Sequence, residues 1–214
     1  MLEAGFSNNI YSTERLLGTH LNSKENILST AIVLFAQKGY SGLSMRQLAQ
    51  AVDMSVAAIY HHFPDKNTLY LESVRFAFSD KEQVFARVWE SDWSAEEKLG
   101  GFIRSLIDVL LQDRDFHRLM QREILEANPE RMQLLAEGVF KSQFCLLMQL
   151  ATELAPGQDA HLVATSIIGL TKYHIEYQPL FKNFPGWKPE HEMPEVIAAH
   201  ITGLLLNGLK AQTG

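Results

Sequence analysis

The sequence predicts an all-α protein of about nine helices, and three observations predict it. Apolar residues recur at i, i+3, i+4 and i+7 in one stretch after another, the spacing of a helix face. Helix punctuation brackets those stretches: Ser44-x-x-Gln47 and Ser94-x-x-Glu97 are capping boxes, Gly39 follows a first apolar stripe, Pro129 stands just past the end of another, and Pro194 stands where the last helix begins. No strand-type alternation of useful length interrupts the pattern.

Ser23 opens the first helix, whose stripe is Ile27, Leu28, Ala31, Leu34 and Phe35, with Gly39 just past its end. Ser44 opens the second, with Leu43 and Leu48 placed to close a hydrophobic staple and Met45, Leu48, Ala49 and Val52 along one face. Asp53-Met54 makes a tight turn, and Asp tolerates left-handed geometry better than most residues. Ser55 caps a third helix that turns Ile59 and Phe63 inward and Val56, Ala57, Tyr60 and His61 outward. Pro64 stops it, and Asp65 caps the next. Two short helices across such a turn form a helix-turn-helix, whose second helix enters the DNA major groove.

The segment LFAQKGYSGLSMRQLAQAVDMSVAAIYHHFPDK resembles the N-terminal domain of the TetR-type transcriptional regulators. Phe35, Gly39-Tyr40, Ser44, Leu48-Ala49, Ser55, the run Ile59 to Phe63 and Asp65-Lys66 carry the likeness, which spans roughly residues 24 to 75. Asp53 stands where that family usually has Gly, and Val56 where it often has Lys. The resemblance implies DNA contacts from Ser44, Met45, Arg46, Ser55, Val56, Ala57, Tyr60, His61 and Lys66. Among these, Ser44, Arg46, Tyr60 and Lys66 would take phosphates, and Val56, Ala57 and His61 would meet base edges.

After Asp65 the helices lengthen. Leu69, Val74, Phe78, Val84, Phe85 and Val88 mark one to about Val88, with Ser79-Asp80 as the place where it would break. Ser94 caps a helix through Phe102, Ile103, Leu106, Ile107 and Leu110. The next carries Phe116, Leu119, Met120 and Ile124 and stops before Pro129. A long helix is expected from Glu130 to Leu154, then one from Asp159 past Tyr173 and Tyr177 that Pro179 kinks or ends. NFPGWKPEHEM reads as a loop, and Pro194 starts a last helix with Val196, Ile197, Ile201, Leu204 and Leu205. Gly169, Gly203 and Gly208 inside the last two helices each cost about 1 kcal/mol against Ala unless close helix approach offsets them. The domain division is therefore an arm at 1–22, a helix-turn-helix domain at 23–68 and a C-terminal domain at 69–214.

Composition bounds the function. The chain has 214 residues, a net charge of −6 and one cysteine, Cys145, so no intrachain disulfide forms. Residues 23–66 hold four basic against three acidic side chains, while 67–214 carry a net −6. With no basic patch, DNA affinity would rest on a dimer doubling modest contacts. The N-terminus does not read as a signal peptide, and the longest uncharged run, Val196 to Leu209, is short of the ~20 residues a bilayer needs. A cytoplasmic protein with no membrane association is expected. Residues 1–22 read as a disordered arm or as an extension touching DNA through Arg15 or His20.

No nucleophile elbow, phosphate loop or His-x-x-x-His spacing is present. His61 and His62, adjacent on a helix, point about 100° apart. No enzyme activity, metal or cofactor is expected. The resemblance further implies a homodimer through the last two helices, a palindromic double-stranded operator and a small-molecule effector. Candidates for an effector cavity are Trp89, Trp93, Phe102, Phe116, Met120, Phe144, Met148, Tyr173 and Tyr177. Arg122, Glu123, Gln143 and His174 are the polar residues that would orient the effector, Arg122 and Glu123 being equally readable as solvated surface. The expectation is thus a repressor released from its operator by ligand. The alternatives are an activator or non-transcriptional DNA binder on the same fold, or a small-molecule-binding helical protein with no DNA activity.

Overall fold

The computed structural model describes residues 23–210, and side chains as far as Gly208. The N-terminal arm, with Arg15 and His20, lies outside the described residues. The protein is all-α, in the order α1 (Ser23–Gly42), α2 (Met45–Ala51), α3 (Val56–His62), α4 (Lys66–Trp89), α5 (Ala95–Gln112), α6 (Arg114–Glu126), α7 (Pro129–Leu135), α8 (Lys141–Leu154), α9 (Ala160–Glu176), α10 (Gln178–Phe181) and α11 (Pro194–Lys210).

The chain divides into two compact units, one of residues up to Ala77 together with Gln112–Leu134, the other of Phe78–Leu111 and the chain from Leu135 on. The expected division at 68/69 therefore differs from the compact units. The first unit extends into α4 and includes α6 and α7, because α6 packs along α1. Its core is Ile27, Ala31, Phe35, Leu48, Ile59 and Phe63, all almost fully buried. Gly39 breaks the geometry of α1 with φ 74°, and a Cβ there would stand 3.0 Å from Glu126 Oε1. Only glycine combines that backbone angle with so close an approach of α6.

In the second unit Leu99, Ile103, Ile107, Leu147, Ala164 and Ile201 fill the centre, with α9 packed on both α8 and α11. Trp93 is half exposed but lies over Gly101, where a Cβ would meet Trp93 Cζ3 at 2.6 Å. α4 runs unbroken through Ser79-Asp80, both of which are exposed. The helix expected from Glu130 to Leu154 instead starts at Pro129 and contains a π turn, Ala136–Phe140, around Gly138. One residue too many for the α-helical register is accommodated there as a bulge. Pro179 does end α9, with α10 following as a single turn, and the loop before α11 holds a 3-10 turn, Pro189–Glu192. Among the described residues no helix is long and apolar enough to cross a membrane.

Candidate nucleic-acid interface

The helix-turn-helix is built by its caps. Ser44 Oγ accepts from the Gln47 amide at 3.2 Å, and Gln47 Oε1 accepts from the Ser44 amide at 2.9 Å, which closes the capping box. Leu43 and Leu48, the two staple positions, are both buried. α2 ends as the Val52 amide donates to Leu48 O, and Asp53 takes φ 53°, the left-handed turn read from the sequence. The Met54 amide returns to Ala49 O at 2.9 Å, and Ser55 Oγ then accepts from the Ala58 amide at 3.1 Å to start α3. Every change of direction satisfies an otherwise orphaned amide, so the angle between α2 and α3 is set locally.

Ile59 and Phe63 are fully buried beneath α3, so its opposite face is fixed outward. Ser55, Ala57, Tyr60 and His61 are exposed and Val56 is half-buried. Ser44 and Arg46 are exposed on α2, and Arg46 has no acidic partner among the described residues. Met45 departs from the expected contact set. It is only 8% exposed, because its position at the start of the apolar stripe turns it into the core.

Lys66 opens α4, just after Asp65 Oδ1 caps the Thr68 amide at 2.7 Å. Its ammonium lies 4.4 Å from the centroid of the Tyr40 ring, and the Arg131 guanidinium lies 4.3 Å from the same ring. Burial lowers the Lys66 pKa, and the Arg131 charge lowers it further. Burial raises the Tyr40 phenol against the opposing pull of Arg131. Arg131 is in turn held by Glu123 at 2.7 Å and Glu126 at 2.6 Å, and Tyr70 Oη donates to the other Glu123 oxygen at 2.8 Å. The Tyr70 phenol is raised well above its ordinary range by burial and then by that hydrogen bond. Sequence reasoning missed this cluster. Tyr70 and Glu123 are 53 residues apart, and no local spacing marks them as partners.

The expected effector residues fall on both units. Phe116, Met120 and Arg122 belong to the first, Phe116 being buried and Arg122 exposed. Glu123, read as either ligand-orienting or surface, is buried and fully engaged by Tyr70 and Arg131. In the second unit Phe102 is buried, while Trp89, Phe144, Met148 and His174 are half-buried. Trp89 Nε1 donates to Gln143 Oε1 at 2.8 Å, and the Phe144 ring lies 5.2 Å from that of His161. Tyr173 and Tyr177, the latter capping the C-terminal end of α9, stack at 4.4 Å and are both about half exposed, so they form surface rather than the wall of an enclosed space.

Residues 27–73 match the family model described as bacterial regulatory proteins, tetR family. Residues 95–209 match that of the C-terminal domain of the HTH-type transcriptional dual regulator CecR. The negative transcriptional regulator IcaR of the biofilm operon icaADBC, from Staphylococcus aureus, is 38% identical over 55 residues, which are 26% of this chain. That match spans only 30% of the length of IcaR. Among solved structures, AibR in complex with isovaleryl coenzyme A and operator DNA has a TM-score of 0.62 at 25% identity, over 86% of this chain and 98% of that one. FadR from Bacillus subtilis, solved with stearoyl-CoA, has a TM-score of 0.68 at 19% identity, over 86% and 97% of the two chains.

Proposed function

Because this chain belongs to the TetR family of bacterial regulatory proteins, whose members are transcriptional regulators and not enzymes, we propose that it is a dimeric repressor released from a palindromic DNA operator by a small-molecule ligand. The observation that carries this is the capped helix-turn-helix, with Ser55, Ala57, Tyr60 and His61 exposed along α3 over a buried Ile59-Phe63 base. Small side chains at the start of α3 let its backbone approach base edges, and Val56 offers a methyl contact to thymine but no hydrogen bond. Ser44, Arg46, Tyr60 and Lys66 take phosphates, which fix register rather than sequence. Met45, being buried, is left out of this surface.

The dimer reading rests on α9 and α11. Leu162 on α9 and Leu204 on α11 are 63% and 53% exposed. A Cβ added at Gly169, Gly203 or Gly208 would meet nothing within 4 Å. Among the described residues no neighbour therefore requires those glycines, and a second copy packed on this face supplies the close approach that offsets their cost. The acid of residues 67–214 disfavours DNA there, which leaves the helix-turn-helix as the face presented to it. We place the protein in the cytoplasm, where its DNA is.

Ligand and operator act against each other by linkage, since each weakens binding of the other by the same factor. The ligand bound by AibR makes an acyl-coenzyme A the first effector to test. The family model named for a dual regulator supports a second reading, activation at some promoters by the same DNA-bound dimer. Selection of genomic fragments by the purified chain tests the main reading. Retention of discrete fragments over random DNA, and their release by isovaleryl coenzyme A but not by coenzyme A alone, is the expected result. Retention no better than for random DNA contradicts operator binding, and discrete retention unaffected by acyl-coenzyme A contradicts the choice of effector.

A further inference from the structure

Tyr40, in the last turn of α1 just after Gly39, is fixed on several sides. Its ring sits edge-on to Tyr70 at 5.4 Å and parallel to Phe35 at 6.1 Å, and its hydroxyl donates to Asn67 Oδ1. The ring therefore has one orientation, and a face of it meets the Lys66 ammonium. Two of the acids near this site are already engaged. Glu126 is bound by Arg131 at 2.6 Å, and Asp65 accepts the Thr68 amide. Among the described residues Lys66 makes no ion pair.

We propose that Tyr40 is a positioning residue for DNA binding, whose ring face holds the Lys66 ammonium away from the carboxylates around it and so keeps its full charge available to a DNA phosphate. This rests on the proposed phosphate contact of Lys66. An aromatic face attracts a cation through its quadrupole without neutralising it, whereas a carboxylate partner would have to be displaced before phosphate could bind. Arg131, against the same ring, adds a like charge that discourages Lys66 from swinging toward Glu126. With the ring removed, Lys66 falls back on Asp65 or Glu126 and ceases to displace counterions from DNA.

The number of counterions displaced is read from the slope of log affinity against log salt, about 0.9 per phosphate neutralised. The test measures that slope on a fixed random-sequence duplex for the full chain and for Lys66→Ala, Tyr40→Leu, Tyr40→Phe and the double variant Lys66→Ala with Tyr40→Leu. Lys66→Ala is expected to make the slope shallower by about 0.9 per protomer bound. Tyr40→Leu is expected to match it, the double variant to add nothing further, and Tyr40→Phe, which keeps the ring, to restore the slope. A Tyr40→Leu variant with the wild-type slope, or effects of the two substitutions that add, overturns the positioning role. A wild-type slope for Lys66→Ala overturns the phosphate contact itself, a distinct failure. Should Tyr40→Leu not fold, the unmutated chain decides: ring-current shielding moves the Lys66 side-chain proton signals upfield if the ammonium end lies over the ring, and unshifted signals overturn the proposal.

Discussion

Glu123 and Arg131 form a buried ion pair at 2.7 Å, with side chains 2% and 9% exposed, at the join of α6 and α7. The pair is complete because Tyr70 donates to the second Glu123 oxygen and Glu126 takes a second edge of Arg131. Forming such a pair gains little over an apolar substitute, but breaking it strands a charge. Glu123→Ala is therefore expected to destabilise the protein by about 3–5 kcal/mol, measured by urea unfolding. Glu123→Gln, whose amide oxygen still accepts from one donor, should cost less. A loss below about 1 kcal/mol for Glu123→Ala would put the pair in the class of exposed salt bridges and contradict its burial.

Asp53 sits at φ 53° in the turn between α2 and α3, where an L-residue pays a left-handed penalty of about 1–2 kcal/mol that Asp only partly relieves. Asp53→Gly should raise the unfolding free energy by up to about 1 kcal/mol with DNA affinity retained, and the β-branched Asp53→Val should lower it. A destabilised Asp53→Gly would mean that the Asp side chain holds the turn through contacts worth more than the strain.

His174 on α9 is half-buried, its ring 5.8 Å from that of His200. Burial, and then the His200 charge, lower its pKa from the ordinary 6.5. The unfolded chain thus takes up a proton at this residue more readily than the folded one. The contribution to stability is whole above about pH 6.5 and is lost as the pH falls below that value through the lowered one. Unfolding midpoints measured across that window should fall with pH, and His174→Gln should flatten the fall. An equally steep fall in the variant would assign the effect to other groups.

The helix-turn-helix was legible in the sequence because its determinants are local. Ser44 and Gln47, Ser55 and Ala58, and Asp65 and Thr68 each lie within one turn of helix, and Asp53 was readable as the left-handed residue. Burial of Met45 was equally local, since its place in the i, i+3, i+4 stripe outweighs its nearness to the DNA-facing cap. What could not be read was long-range. Partners such as Tyr70 with Glu123, and Trp89 with Gln143, are brought together by helix packing that leaves no periodic trace. The π turn was hidden for another reason: Ala136–Phe140 continues an apolar pattern whose phase slips by one residue only in three dimensions.

Leu162 and Leu204 are more than half exposed, so replacing both by Glu removes apolar surface without opening the core. The double variant is expected to sediment as a monomer and to lose specific DNA binding, because one head alone makes half the contacts. A double variant that remains a dimer moves the interface away from α9 and α11.

The central claim is that the outward start of α3 meets DNA, and Ala57→Glu tests it most directly. Ala57 is exposed, and a Glu in the first turn suits the helix dipole, so the fold and its stability should be unchanged. A carboxylate on that face would instead oppose phosphate and close the approach to base edges. Binding of wild type and Ala57→Glu to the selected genomic fragments, with helicity monitored alongside, should give a folded variant that no longer discriminates those fragments from random DNA. A folded variant with wild-type affinity for the same fragments would contradict the account.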